Sequence, residues 1–371
     1  MGASRLEVLV VGLGAIGSIY AYVLDASGLV NVSAVARSNF DLIKNQGLHI
    51  KSEKFGTKEG WRPHHLYSSI GAAAVKRYDY VIVTSKCVPE VLPTSKILEP
   101  LLCDVYTSAY GQPTYVLFQN GFDIERELYE RLRTVTERPS VISAALHIFT
   151  NQAGAVVNHN AYEELYLGVY RPDDYTTTVN SVEEQYTLDR IGRALKRGGS
   201  KTNIVPEVQR YKFDKNMRNV VFSGLCVLTG YPIMALFRPP PQDGQSYEVY
   251  VHPAHTELIE EYSLGLAEDI FEDCVRIGHA MGIPDSFECF RPGAGRALVE
   301  MMRKMFTCPD ASTKPSTLID LEKGAPMEIE PVWGSVVRLA KRLEVAAPHV
   351  KMMYSIMLVK QNQIMRKRAC A

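Results

Sequence analysis

The sequence predicts an α/β N-terminal Rossmann-type domain followed by an all-helical C-terminal domain. Three observations carry this expectation. The chain opens with an apolar run, Leu6–Val11, that feeds Gly12-Leu-Gly14-Ala-Ile-Gly17 and then a helical pattern from Ser18 to Leu24. Further short β-branched runs at 78–84, 113–118 and 141–146 read as buried parallel strands. Beyond Val205-Pro206 the pattern becomes helix and loop only. The expected division is therefore 1–205 for a cofactor-binding domain and 206–371 for a helical substrate and dimerisation domain, in line with a length of 371 residues.

Composition narrows the function classes. Basic and acidic side chains balance at 41 each, which gives no electrostatic reason to expect nucleic acid or an anionic membrane as partner. No apolar run reaches the roughly 18 residues of a membrane span. The N-terminus passes straight into a strand, leaving no room for a signal peptide, and Leu6 breaks the myristoylation pattern that Gly2 would open. Seven scattered cysteines, mostly in apolar surroundings, read as reduced thiols of a cytoplasmic protein. His64-His65 and His252-x-x-His255 are the only clustered histidines; both fall in loop-like sequence, and no metal site is expected.

The glycine pattern stands in the context that a dinucleotide motif requires. Gly12 makes the turn, Gly14 lets the backbone approach a pyrophosphate, and Gly17 lets the helix pack on the sheet. Leu13, Ala15 and Ile16 complete the cofactor-binding turn, with the helix N-terminal amides facing the phosphates. About 20 residues on, an NAD site would place an acid for the ribose hydroxyls, but this chain has Ala36-Arg37-Ser38. A guanidinium and a hydroxyl suit a 2′-phosphate, so NADPH is favoured over NADH. The alternative is a solvent-facing Arg37 in a turn.

Two strands end at the expected ligand edge, one in Thr84-Ser85-Lys86 and the other in Gln119-Asn120-Gly121. The helix after the second, Asp123 to Arg133, is rich in Glu/Arg pairs and reads as exposed. Asn158-His159-Asn160 reads as a polar turn between the strands at 141–146 and 164–170, the latter with antiparallel-style alternation. The stretch Phe237–Ser246 reads as a proline-rich surface insertion or lid.

Lys212 to Gly230 reads as one helix, nearly all apolar from Val220 on. Lys215, Asn219 and Ser223 recur at i, i+4 and i+8 and so share a stripe. A buried lysine is costly and usually serves a purpose. The bland alternative puts Lys215 in exposed first turns, with Asn219 making an internal hydrogen bond. Near the end, Ser316 is placed to cap a short helix, and Glu328 lies between Met327 and Ile329 on a half-buried surface.

Together these landmarks resemble the ketopantoate reductase (2-dehydropantoate 2-reductase) family over nearly the whole chain. The resemblance rests on Gly12-x-Gly14-Ala-x-Gly17, Thr84-Ser-Lys86, Gln119-Asn120-Gly121, Lys215-x-x-x-Asn219, and Pro315-Ser316 with Asp320 and Glu328. It implies a cleft that closes on NADPH and a small 2-keto acid, and often a homodimer. It makes Lys215 the general acid, with catalytic Glu328 opposite it. Asn219, Ser223 and Ser316 would bind substrate, and Lys86 and Asn120 would lie at the cofactor. Many members carry Asn where Ser223 stands, and Met where this chain has Thr317. A non-catalytic NADPH/NADP⁺ sensor is the reading from another class, and retention of both Lys215 and Glu328 argues against it.

Overall fold

The computed structural model describes residues 5–241, 244–312 and 314–370, so Gly2 lies outside the described residues. The chain divides into two compact units, Met1–Lys212 and Phe213–Ala371.

The first unit is built on one ten-stranded sheet. Its strands are β1 (Leu6–Val11), β2 (Val30–Val35), β3 (Leu48–Ser52), β4 (Gly56–Trp61), β5 (His65–Tyr67), β6 (Tyr80–Val83), β7 (Thr114–Leu117), β8 (Val141–Ala153), β9 (Val156–Val169) and β10 (Thr202–Ile204). Six neighbours, in the order β5-β2-β1-β6-β7-β8, run parallel. β9 then pairs antiparallel with β8 and parallel with β3 and β10, and β4 closes the far edge antiparallel to β3.

Alternation along the central strands sorts side chains onto two faces. Val8, Val10, Ile82 and Val116 join one buried cluster with Ile19, Tyr20, Val23, Ile191 and Leu195. Leu9, Val11, Val81, Val83 and Leu117 join the other with Ile70, Leu101, Tyr106, Leu128 and Leu132. Helices cover both faces: α1 (Ala15–Ala26), α2 (Phe40–Gln46), α3 (Ile70–Ala73), α4 (Thr94–Ile97), α5 (Asp104–Tyr110), α6 (Glu125–Leu132) and α7 (Val182–Arg197). A capping box starts α7, with Ser181 and Glu184 each taking the other's backbone N–H. The strand order reverses between β1 and β6, which makes the carboxyl ends of these strands the ligand-binding crevice of an open α/β sheet.

Two expectations need correction here, and one segment without an expectation finds its place. Asn158-His159-Asn160 is no turn: it lies inside β9, and the β8–β9 hairpin reverses at Gly154 with φ +58°. His159 is buried, stacks on Phe55 and meets Ser52 Oγ through Nδ1 at 2.7 Å, so its ring docks the β3–β4 hairpin on β9. The α6 helix is not simply exposed. Glu125 is wholly buried and accepts from Lys212 Nζ and Ser143 Oγ, each at 2.5 Å. The polar segment 56–67, which shows no apolar alternation, forms β4 and β5 at opposite edges of the sheet. Edge strands tolerate such sequence because one side need not be buried.

Helix α8 (Val208–Arg218) crosses the division between the units. The rest of the second unit is helical: α9 (Gly224–Thr229), α10 (Met234–Phe237), α11 (Thr256–Leu258), α12 (Gly265–Ala280), α13 (Ala294–Phe306), α14 (Ser316–Glu322), α15 (Ser335–Arg342) and α16 (Pro348–Ala369). Three π turns, at Asn219–Ser223, Ile259–Leu264 and Glu330–Gly334, lead into α9, α12 and α15. The expected helix from 212 to 230 is thus broken by a π turn, and it ends at Gly230 in the left-handed conformation (φ +78°). The stretch expected as a surface insertion or lid is anchored at its start. Arg238 is buried and donates to the carbonyls of Phe306, Cys308 and Ala311 at 2.7, 2.9 and 2.7 Å. The buried carboxylate of Asp273 takes the N–H groups of His349 and Val350, supplying α16 with the cap that Ala347 lacks.

Glu163 on β9 is the electrostatic pin of the first unit. Its carboxylate accepts from Lys54 Nζ (2.6 Å), Tyr20 OH (2.7 Å), Ser200 Oγ (2.6 Å) and Lys201 N–H (3.0 Å). Burial alone would raise its pKa; the Lys54 ammonium and the hydroxyl and amide donors outweigh this and hold it below the ordinary carboxylate value. A carboxylate with a depressed folded pKa stabilises above its unfolded value, and that contribution is lost as pH falls through the folded pKa. Glu163→Gln should cost about 2–3 kcal/mol at neutral pH. The gap from wild type should close on acidification below about pH 4.5. Thermal unfolding across pH checks both; a gap independent of pH would deny the ionised Glu163 this role.

Candidate functional site

At the crevice, β1 hands over to α1 through the glycine turn. Gly12 has φ +101°, a conformation that favours glycine, and its N–H donates to Val35 C=O at 3.0 Å. A Cβ on Gly17 would lie 1.9 Å from Gly12 O and 2.5 Å from Thr84 Oγ1, so no side chain fits there. Gly14 is exposed, and a Cβ there would meet nothing within 4 Å. Gly14 is the N-cap of α1, makes no side-chain cap bond, and is followed by no acid in the first turn. The start of α1 thus has open space at Gly14 and neither a side-chain cap nor a first-turn acid, which suits a pyrophosphate. Buried Leu13 offers its carbonyl to Asn39 Nδ2 at 2.8 Å, which ties this turn to the one bearing Arg37 and Ser38. Both Arg37 and Ser38 are exposed at the end of β2.

The neighbouring strand ends are braced to the same turn. Thr84 Oγ1 donates to Gly12 C=O at 2.6 Å, and Gln119 Nε2 donates to Ser85 C=O at 2.8 Å. Lys86 is exposed and Asn120 half-buried, one beyond each strand. Gly121 (φ +100°) and Asp123 (φ +55°) turn the chain into α6, and Asp123 is held by Tyr170 OH and Arg126 Nε, both at 2.7 Å. The first unit thus brings the cofactor candidates Gly12 to Gly17, Arg37, Lys86 and Asn120 to one edge of the sheet.

In the second unit, Lys215 and Asn219 are half-buried and Ser223 is buried. Lys215 is not the costly buried lysine of the helix. That residue is Lys212, at 3% exposure and paired with Glu125. The π turn spans Asn219 to Ser223, so the stripe expected from simple i, i+4, i+8 spacing carries a change of helical register in its second half. Helix α14 packs against this π turn and against α9. Ser316 is the exposed first residue of α14, and its N-cap is Pro315, so Ser316 does not cap the helix. Glu328 is buried at 5% exposure, deeper than the expected half-buried surface, two residues ahead of the π turn at 330–334. That π turn in turn packs on the one at 219–223. The side chains that hold this arrangement, Asn216, Trp333 and Gln361, gave no signal in the sequence, where Asn216 and Gln361 stand among other polar residues.

Other reactive groups nearby are held inert. The Cys289 thiol is pushed up to about 12, by burial first and by the Asp214 carboxylate second, and Arg218 Nη2 donates to its sulfur at 3.3 Å. Among the described residues no group of three or more His, Cys, Asp or Glu side chains is arranged to hold a metal ion. His64 Nδ1 and His252 Nδ1 instead accept backbone N–H groups.

Comparison with known proteins agrees with this layout. The model described as ketopantoate reductase PanE/ApbA matches residues 8–172, and that of its C-terminal region matches residues 253–361. An uncharacterised protein of Saccharomyces cerevisiae is 28% identical over 374 residues, which cover 98% of this chain and 95% of the yeast protein. The crystal structure of 2-dehydropantoate 2-reductase from Methylococcus capsulatus superposes with a TM-score of 0.73 at 25% identity, covering 97% of this chain and 98% of that one. A ternary structure of D-mandelate dehydrogenase with NADH and anilino(oxo)acetate shares the fold at 14% identity, with a TM-score of 0.71 and coverage of 97% and 99%. With a Rossmann-type sheet and a helical unit matched in turn by the two parts of one family, the chain belongs to the ketopantoate reductase family.

Proposed function

We propose that this protein uses NADPH to reduce a 2-keto acid to a 2-hydroxy acid. The foremost substrate is 2-dehydropantoate, which gives pantoate for pantothenate biosynthesis, and the enzyme acts in the cytoplasm as a homodimer. The observation that carries the reading is a half-buried lysine, Lys215, on a helix whose π turn packs against the segment that follows buried Glu328.

When bound, the nicotinamide supplies the hydride. The chain's own residues manage the proton and the negative charge. Lys215 gives a proton to the carbonyl oxygen as the carbon is reduced, and its ammonium stabilises the developing alkoxide beforehand. Glu328 accepts a hydrogen bond from the new hydroxyl and favours the charged lysine. Ser316 donates to the substrate carboxylate, while Asn219 and Ser223 orient the acyl chain. On the cofactor side, the amides at Ala15 to Gly17 take the pyrophosphate, Arg37 and Ser38 take the 2′-phosphate, and Lys86 and Asn120 lie toward the ribose and nicotinamide.

A second reading keeps the hydride chemistry and changes the substrate. It is favoured by Ser223 and Thr317, where many family members carry Asn and Met. D-Mandelate dehydrogenase shares this fold, and its ternary structure holds anilino(oxo)acetate. The sensor reading has no comparable observation behind it.

NADPH oxidation against 2-dehydropantoate and a panel of other 2-keto acids separates these readings. Lys215→Ala should lower turnover by about 10²–10⁴ with NADPH affinity nearly unchanged. A folded variant with full turnover would remove Lys215 as the acid. Arg37→Asp should weaken NADPH relative to NADH by about 2–3 kcal/mol. Titration of both cofactors checks it, and an unchanged ratio would place Arg37 outside the cofactor site.

A further inference from the structure

Two π turns of the second unit satisfy each other's backbone. A π turn shifts the helical ladder from i−4 to i−5, and the change of register skips a carbonyl. At the first turn, Val220 C=O accepts from Trp333 Nε1 at 3.0 Å. At the second, Val332 C=O accepts from Asn216 Nδ2 at 2.9 Å. Each donor belongs to the element carrying the other turn: Asn216 sits in α8 directly after Lys215, and Trp333 sits within 330–334. Trp333 is wholly buried and Asn216 is 2% exposed. Glycine at residue 224 leaves the space that Met353 fills beside the indole. A Cβ there would lie 3.2 Å from Trp333 Nε1 and 2.2 Å from Met353 Sδ.

A third clamp acts on the other side of Glu328. Gln361 of α16, at 3% exposure, accepts from Met327 N–H at 3.0 Å and donates to Met327 C=O at 2.9 Å. This paired bond fixes the peptide immediately before Glu328. The backbone around Glu328 is therefore held at residue 327 by Gln361 and at residue 332 by Asn216.

We propose that Trp333, Asn216 and Gln361 are positioning residues: they set Glu328 against the Lys215–Asn219–Ser223 face for the reaction proposed above, on which this inference rests. None of the three touches the reacting atoms. They act through backbone carbonyls and one amide, so their loss displaces catalytic groups without deleting any of them. A misplacement of about 1 Å can cost as much as 100-fold in rate, which makes the effect measurable.

The test uses the full-length protein with Trp333→Phe and Gln361→Met, each of which keeps bulk and removes the polar bonds. Turnover, KM for the keto acid, NADPH affinity and the pH–rate profile are read well below each variant's Tm. The expected result is a fall in kcat of about 10-fold or more, a displaced alkaline limb, and NADPH affinity within about twofold of wild type. Unchanged kcat and pH profile with a lowered Tm would overturn the proposal in favour of a purely structural role. Should Trp333→Phe fail to fold, Gln361→Met alone decides. Amide hydrogen exchange gives a readout free of turnover: Trp333→Phe should loosen 219–224 and Gln361→Met should loosen 327–334, with the sheet of the first unit unaffected. Exchange that stays unchanged in these segments, or rises uniformly, would also overturn it. If wild type reduces no keto acid, the proposed reaction fails, and the exchange arm still decides the frame.

Discussion

Wherever regular structure breaks, a backbone carbonyl loses its partner, and a buried carbonyl must find another. This constraint recurs through the protein, and side-chain donors meet it at the glycine turn, at the strand ends beside it and at two of the π turns. In the first unit Thr84 serves Gly12, Asn39 serves Leu13 and Gln119 serves Ser85. In the second, Trp333 serves Val220, Asn216 serves Val332 and Gln361 serves Met327. The broken segments are where backbone groups are left available, because intact helices and strands keep their backbone to themselves. The candidate site residues and the need for side-chain donors therefore fall close together.

The two units meet the constraint by different means. In the glycine turn the absence of side chains is decisive. Gly17 must lack a Cβ so that α1 can close on the Gly12 carbonyl, and Gly12 must adopt a positive φ so that the chain can turn beneath it. Thr84 then fits the narrow space left between them. Changing any one of the three disturbs the other two, and the open space beyond Gly14 exists only while all three hold. In the second unit bulky side chains do the work instead. A buried indole and two buried amides hold π turns that no local sequence rule would favour.

This difference explains what was legible in the sequence. The glycine spacing, the β-branched runs and the turn into α1 are local patterns, and they located the sheet and its ligand edge. The antiparallel return of β9 was also legible, since alternation at 164–170 is local. The polar edge strands β4 and β5 were not, because an edge needs no apolar face. Asn158-His159-Asn160 read as a turn because three polar residues look like one; only the distant Ser52 and Phe55 show that His159 is packed in a strand. Glu125 looked solvated among Glu/Arg pairs, yet its partner Lys212 is 87 residues away in sequence. The π turns at 219–223 and 330–334 left no trace in periodicity, since most of their residues are buried. Spacing singled out Lys215 but left open whether it was buried for a purpose or exposed in the first turns, and the family resemblance supplied the roles expected of Lys215 and Glu328.

The division also bears on which property of the protein can change. The cofactor edge depends on glycines, backbone amides and a threonine whose geometry leaves little room for substitution, so the cofactor-binding chemistry is strongly constrained. The substrate face depends on helices whose register is set by contacts distant in sequence. There a side chain such as Ser223 or Thr317 can differ from the common family pattern while the clamps on Val220, Val332 and Met327 remain intact. Under the proposed function, reaction type and substrate identity are carried by different physical devices. On that reading, proton and hydride transfer stay aligned while the acyl pocket changes shape, and the departures at 223 and 317 bear on substrate rather than on mechanism.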